Sequence, residues 1–137
     1  MQLTPYLLFD GTCEAAFKFY EKLFGGKIEA MMTHADAPEE HQVSAEWRSK
    51  ILHARMSFPG GVLMASDAPP GHFEKPQGIS MSLEISDPAE AERTFNALSD
   101  KGKIQMPFGQ TFWAYRFGML VDQFGIPWMI NTQGEHQ

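Results

Sequence analysis

Apolar residues recur along this chain at two periods, and the changes of period mark its elements. Residues 3–9 (LTPYLLF) read as a strand, with Pro5 near its start. Ala16, Phe17, Tyr20, Leu23 and Phe24 then recur at helical spacing, which makes one apolar helix face. Thr12 is placed to cap that helix, and Glu14 puts a negative charge in its first turn. Gly25-Gly26 stops it, since glycine accepts the left-handed conformation that ends helices. Residues 27–32 read as a second strand. Residues 33–50 are acidic and polar and carry Pro38, which predicts a long surface loop with room for a short helical turn. Residues 51–58 (ILHARMSF) alternate again, and Pro59-Gly60-Gly61 turns the chain into a strand at 62–66.

The Pro- and Gly-rich stretch 67–77 (DAPPGHFEKPQ) divides the chain, and the second half repeats the grammar of the first. Residues 78–86 alternate strictly. Asp87-Pro88-Ala89-Glu90 is a helix start, with an Asp cap and Pro at the first helical position. Ala91, Phe95 and Leu98 form the buried face, and Gly102 is read as its end. Residues 103–108 are a strand. Residues 115–121 and 126–131 form a hairpin around Asp122-Gln123-Phe124-Gly125, where Asp bonds its own backbone and Gly accepts positive φ. Pro127 lacks a donor, which suits an edge or a bulge. Tyr20 matches Phe95, Leu23 matches Leu98, and after a one-residue shift Gly26-Lys27-Ile28 matches Gly102-Lys103-Ile104. A single β-α-β-β-β half cannot cover both faces of its sheet. The fold class expected is therefore α+β: two paired β-α-β-β-β modules forming an open, cup-shaped mixed sheet with the helices outside. Module one spans 3–67, the linker 68–77 and module two 78–132.

Composition narrows the partners. The net charge of −6 disfavours nucleic acid and anionic membranes, which need basic patches. Cys13 is the single cysteine, which excludes an internal disulfide and suits a reducing cytoplasm. No basic-plus-apolar leader and no apolar run of membrane-spanning length occur in the sequence.

The paired modules, the helix AAFKFYEKLFGG, the strand HARMSF, the segment LMASDAPP and the hairpin FGMLVDQFGIPWMIN together resemble the vicinal oxygen chelate superfamily. That superfamily holds glyoxalases, bleomycin-resistance proteins and extradiol dioxygenases. Within it the sequence is most similar to the PhnB-like branch, also called 3-demethylubiquinone-9 3-methyltransferase. The resemblance covers essentially the whole chain and implies the fold more sharply than the substrate. It also implies that metal-dependent members carry His or Glu ligands on the first and last strands of each module. Those four places fall near Pro5, Met64, Ser80 and Met129, or with a one-residue shift Ser66 and Asn131. None of the four suits a hard or borderline divalent cation, so neither a metal nor another cofactor is expected. A Gly-rich turn between strand and helix, of the kind that cradles an adenosine cofactor, is missing from the sequence, and methyl transfer is not carried over.

Alternation then selects the candidate site. Leu52, Ala54, Met56 and Phe58 should face the helix and His53, Arg55 and Ser57 the cavity. Met81, Leu83 and Ile85 should face the second helix, leaving Ser80, Ser82 and Glu84 inward. His53 and Glu84 are the candidate acid/base pair, and Arg55 can hold an anionic group bidentately. Arg55 pairing with Glu84, with His53 a structural histidine, is the alternative. Trp113, Tyr115 and Phe117 are expected on one strand face as an aromatic wall, completed by Met64 and Met129. His34, His41 and His72 fall on loops and are read as solvated. Cys13, in a first helical turn, has a candidate lowered pKa, with a buried inert thiol as the alternative. The function expected is a metal-free small-molecule binding protein with an aromatic-lined cavity, cytoplasmic and homodimeric. The alternatives are an enzyme using His53 and Glu84 on a small carbonyl or phosphonate compound, and a metalloenzyme with ligands from His53, Glu84 and the loop histidines.

Overall fold

The computed structural model describes residues 1–38, 43–112 and 115–133. Its architecture is α+β, built from two β-α-β-β-β modules. The first runs β1 (Tyr6–Phe9), α1 (Cys13–Phe24), β2 (Lys27–Thr33), β3 (Ile51–Phe58) and β4 (Gly61–Asp67). The second runs β5 (Met81–Glu84), α2 (Pro88–Ser99), β6 (Lys103–Gly109), β7 (Arg116–Val121) and β8 (Pro127–Thr132). The strand orders, β1-β4-β3-β2 and β5-β8-β7-β6, are the same in both sheets. In each the first and last strands are parallel and the remaining pairs antiparallel. The chain divides into compact units at Met1–Glu74 and Lys75–Gln137.

In the first unit α1 packs on β3, β2 and β4. It buries Cys13, Ala16, Phe17 and Tyr20. Ala54, Met56, Leu63 and Ala65 meet it from the sheet, all nearly inaccessible. Thr12 makes no side-chain cap, contrary to expectation. The cap comes from outside the helix: the Cys13 N–H donates to Asp67 Oδ1 at 2.9 Å. The other Asp67 oxygen accepts from the Ile51 N–H at 2.9 Å. The Pro- and Gly-rich stretch 67–77 thus begins with a buried residue that ties α1, β3 and β4 together. Among its described residues, the segment between β2 and β3 contains short 3-10 turns at His34–Asp36 and Ala45–Trp47.

In the second unit α2 packs on β7, β8 and β6, burying Ala91, Thr94, Phe95 and Leu98. Asp87 caps it as expected, accepting from the Ala89 N–H at 3.4 Å. Gly102 does not end the helix, which stops at Ser99; Lys101 takes the positive φ of 61°. Gly102 is required because a side chain there would collide with the Val121 carbonyl. Gly26, its match in the first module, has the same reason: its Cβ would lie 2.8 Å from the Ser57 carbonyl. Pro127 also departs from expectation, because β8 is a central strand. It is tolerated as that strand's first residue.

Candidate functional site

Each sheet turns one face to its helix and leaves the other to a mixed population of side chains. In the first unit, Arg55 stands opposite Met64 on β4, Tyr6 also opposes Met64, and His53 opposes Met32. His53, Arg55 and Met64 are therefore brought to the face away from α1, as alternation predicts. The Tyr6 hydroxyl lies 3.4 Å from His53 Nδ1, with ring centroids 5.9 Å apart. The Arg55 Nε–H donates to Glu29 Oε1 at 3.1 Å, and the Ser57 hydroxyl donates to Glu29 Oε2 at 3.1 Å. Arg55 Nη1 lies 3.8 Å from Met64 Sδ. The ion-pair partner of Arg55 is thus Glu29 of its own sheet, not Glu84. Glu29 falls at a register shift between Ile28 and Ala30, and such a bulge re-aims a side chain. Glu29 was missed because strict alternation gives no warning of a bulge.

In the second unit, Ser82 opposes Met129, Glu84 opposes Asn131, Asn131 opposes Phe117, and Met129 opposes Met119. Over the face away from α2 lies a cavity of about 670 Å³, lined among others by Ser80, Met119, Val121, Met129, Lys75 and Lys103. Ser80 and Met129 are brought together there. Ser82 and Glu84 are exposed and lie beyond the lining. Phe117 is buried on the same sheet face. Tyr115 precedes β7 and stacks with the Arg116 guanidinium, 5.3 Å from the ring centroid. Trp113 lies outside the described residues. No aromatic side chain among the described residues lines the cavity, whose floor is methionine and valine. β7 begins at Arg116, so Tyr115 lies just outside the strand whose alternation was used to place it. Asn131 Oδ1 is buried with no partner among the described residues, an acceptor the sequence pattern did not single out.

The four places of the superfamily's metal ligands hold two neighbouring pairs. The Met64 N–H donates to the Pro5 carbonyl at 3.0 Å, and Ser80 and Met129 share the cavity. A proline ring, two thioethers and a hydroxyl do not fit a hard or borderline divalent ion. Among the described residues no three His, Cys, Asp or Glu converge elsewhere. His34, expected in solvent, is 5% exposed, with Nε2 3.3 Å from the Asp67 carbonyl. His72 is exposed in a turn, and His41 lies outside the described residues. Cys13 is buried; desolvation, then the charges of Asp67 and Glu14, push its thiol up, not down.

Two helix-on-sheet modules with identical strand order define the glyoxalase-type fold. A glyoxalase/bleomycin resistance protein/dioxygenase from Nocardioides shares it with a TM-score of 0.56 at 19% identity, covering 100% of this chain and 87% of that one. Within that fold the chain belongs to the 3-demethylubiquinone-9 3-methyltransferase family, which residues 1–131 match. It is 35% identical over 140 residues to the protein YjdN of Escherichia coli K12, covering 96% of this chain and 95% of that protein. The structure of protein PA1353 from Pseudomonas aeruginosa is similar with a TM-score of 0.90 and 46% identity, over 98% of this chain and 99% of that one. The family's name evokes a methyl donor, yet the residues present do not fit one. β1 enters α1 through Asp10, Gly11 and Thr12, and the helix start there is already taken by the Asp67 carboxylate.

Proposed function

We propose that this protein binds a small organic molecule without a metal ion, on a sheet face turned away from its helix. The observation that carries the reading is the cavity of about 670 Å³ over the second sheet. That volume falls within the ordinary span of small-molecule sites, roughly 300–1,000 Å³. Ser80 and Met129 are its contact residues, with Ser82 on β5 and Phe117 on β7 in the same sheet and Tyr115 just before β7. The matching face of the first sheet, with Arg55 and Met64, is a separate candidate surface. Thermal-shift screening against a metabolite library tests the reading. Binders should raise the melting temperature of the native chain and lose much of that effect in Met129→Trp, which narrows the cavity at its floor; a library without a single binder counts against it.

A second reading, proton transfer by His53, is supported by the Tyr6 hydroxyl beside Nδ1. Tyr6 stands beside His53 on its own sheet, whereas Glu84, the acid/base partner expected for His53, is exposed on the second sheet. His53→Ala should then abolish turnover of small carbonyl compounds while leaving cavity binding intact. We also infer a homodimer, from the partly exposed Tyr6, Leu8 and Met32 at 44%, 40% and 43% and from sheet edges that need cover. A cytoplasmic setting is inferred from the lone buried thiol. Among the described residues no helix is long and apolar enough to cross a membrane.

A further inference from the structure

The cavity over the second sheet has the opposite charge to the chain around it. The chain carries a net charge of −6, yet among the described residues the lining includes Lys75 and Lys103 and no carboxylate. The two lysines come from separate elements. Lys75 stands on the segment that leads into β5, and Lys103 opens β6, the far edge strand of that sheet. The ion pairs among the described residues are Lys18–Glu14, Arg55–Glu29 and Arg116–Glu92, so neither cavity lysine is neutralised by one. Gln77 and Gln105 line the same walls and add amide donors. Glu84 shares the sheet face but lies beyond the lining.

Beneath these cations the floor is apolar. Met119 and Met129 oppose each other in register, with Val121 and Pro127 beside them. Methionine adapts to irregular apolar shapes without a fixed rotamer. Ile79, another lining residue, is 69% exposed, an apolar side chain that an occupant would cover. We propose that the cavity selects amphipathic organic anions, a carboxylate held by Lys75 and Lys103 over an apolar body resting on Met119 and Met129. This rests on the cavity being the binding site proposed above. Lysine suits the task because its ammonium is a compact charge on a flexible stem, able to follow anions of different shape.

Calorimetric titration of the full chain with decanoate, decanol and decyltrimethylammonium tests it. Decanoate should bind about ten-fold more tightly than decanol, the scale of two partly exposed ion pairs, and the cation should bind least. In Lys75→Gln/Lys103→Gln the decanoate affinity should fall to that of decanol, while Lys18→Gln leaves it unchanged. An unchanged melting temperature in the double variant shows that the fold is intact. Equal binding of decanoate and decanol to the native chain would overturn the anion selectivity but leave the cavity a small-molecule site. Binding of none of the three overturns the proposal, and the metabolite screen then decides separately whether the cavity binds anything.

Discussion

Asp67 is 2% exposed at the end of β4 and accepts from the backbone of both Cys13 and Ile51. Asp122, 4% exposed, does the same for the β7–β8 turn. Its Oδ1 accepts from Phe124 and Ile126 and its Oδ2 from the Trp128 indole at 2.8 Å. A buried donor left unpaired costs about 1–3 kcal/mol. Asp67→Ala orphans two of them, so it should destabilise the fold by roughly 3 kcal/mol or more, and Asp67→Asn, which keeps one acceptor, by less. Denaturant titration of both variants checks this; equal and small losses would show that the two bonds carry little. The role of Asp122 was legible, because Asp before a Gly-containing turn bonds its own backbone. That of Asp67 was not, since Asp67-Ala68-Pro69-Pro70 reads as a loop and its partners lie 54 and 16 residues away. Cys13 gives a prediction in pH. Its thiol is raised by burial, then by Asp67 and Glu14, so the folded chain keeps a proton that the unfolded chain releases above about pH 8.5. That stability is complete below the unfolded value and is lost as pH rises beyond it. Melts near neutrality and near about pH 10 should therefore diverge more for the native chain than for Cys13→Ala, and parallel losses would refute the assignment.

At the scale of elements, period-two alternation separated the faces of β5 and of β3 beyond its start, where Ile51 rather than Leu52 is buried, and helical spacing found the buried faces of α1 and α2. Alternation could not foresee the bulge at Glu29, and so it missed the partner of Arg55. That difference changes an expected energy. Arg55 buried against Glu84 would make Arg55→Ala cost roughly 3–5 kcal/mol. The pair with Glu29 is partly exposed, at 39% and 42%, and such pairs contribute about 1 kcal/mol or less. Arg55→Ala and Glu29→Ala should each shift the unfolding midpoint slightly, with small coupling in the double variant. A large loss in Arg55→Ala, relieved in the double, would restore the buried-pair picture. The two matched glycines set a stronger constraint. Gly26→Ala and Gly102→Ala each push a methyl group into a strand carbonyl. Both should destabilise the fold more than Gly109→Ala, where a side chain meets open space; equal melting temperatures for the three would contradict that reason.

For the whole molecule, the internal repeat was the most legible feature, because the same apolar spacing and the same glycine before the second strand occur in both halves. The cavity was only partly legible. Ser80 followed from alternation and Met129 from the family resemblance, whereas Lys75 and Lys103 come from the segment read as a linker and from an edge strand, and the sequence pattern singled out neither. Of the expected aromatic wall, Phe117 lies on β7 and Tyr115 just before it, while Trp113 lies outside the described residues. Light scattering across a concentration series should give twice the chain mass, and a monomer at every concentration would exclude the homodimer. The central claim is that the protein holds a small organic ligand without a metal, and native mass spectrometry of the chain purified without chelators and then exposed to a cell metabolite extract tests it most directly. The expected spectrum shows an organic adduct of stoichiometric mass, lost on denaturation, and no metal. One tightly held metal ion per chain, or a bare chain after exposure to the extract, would contradict it.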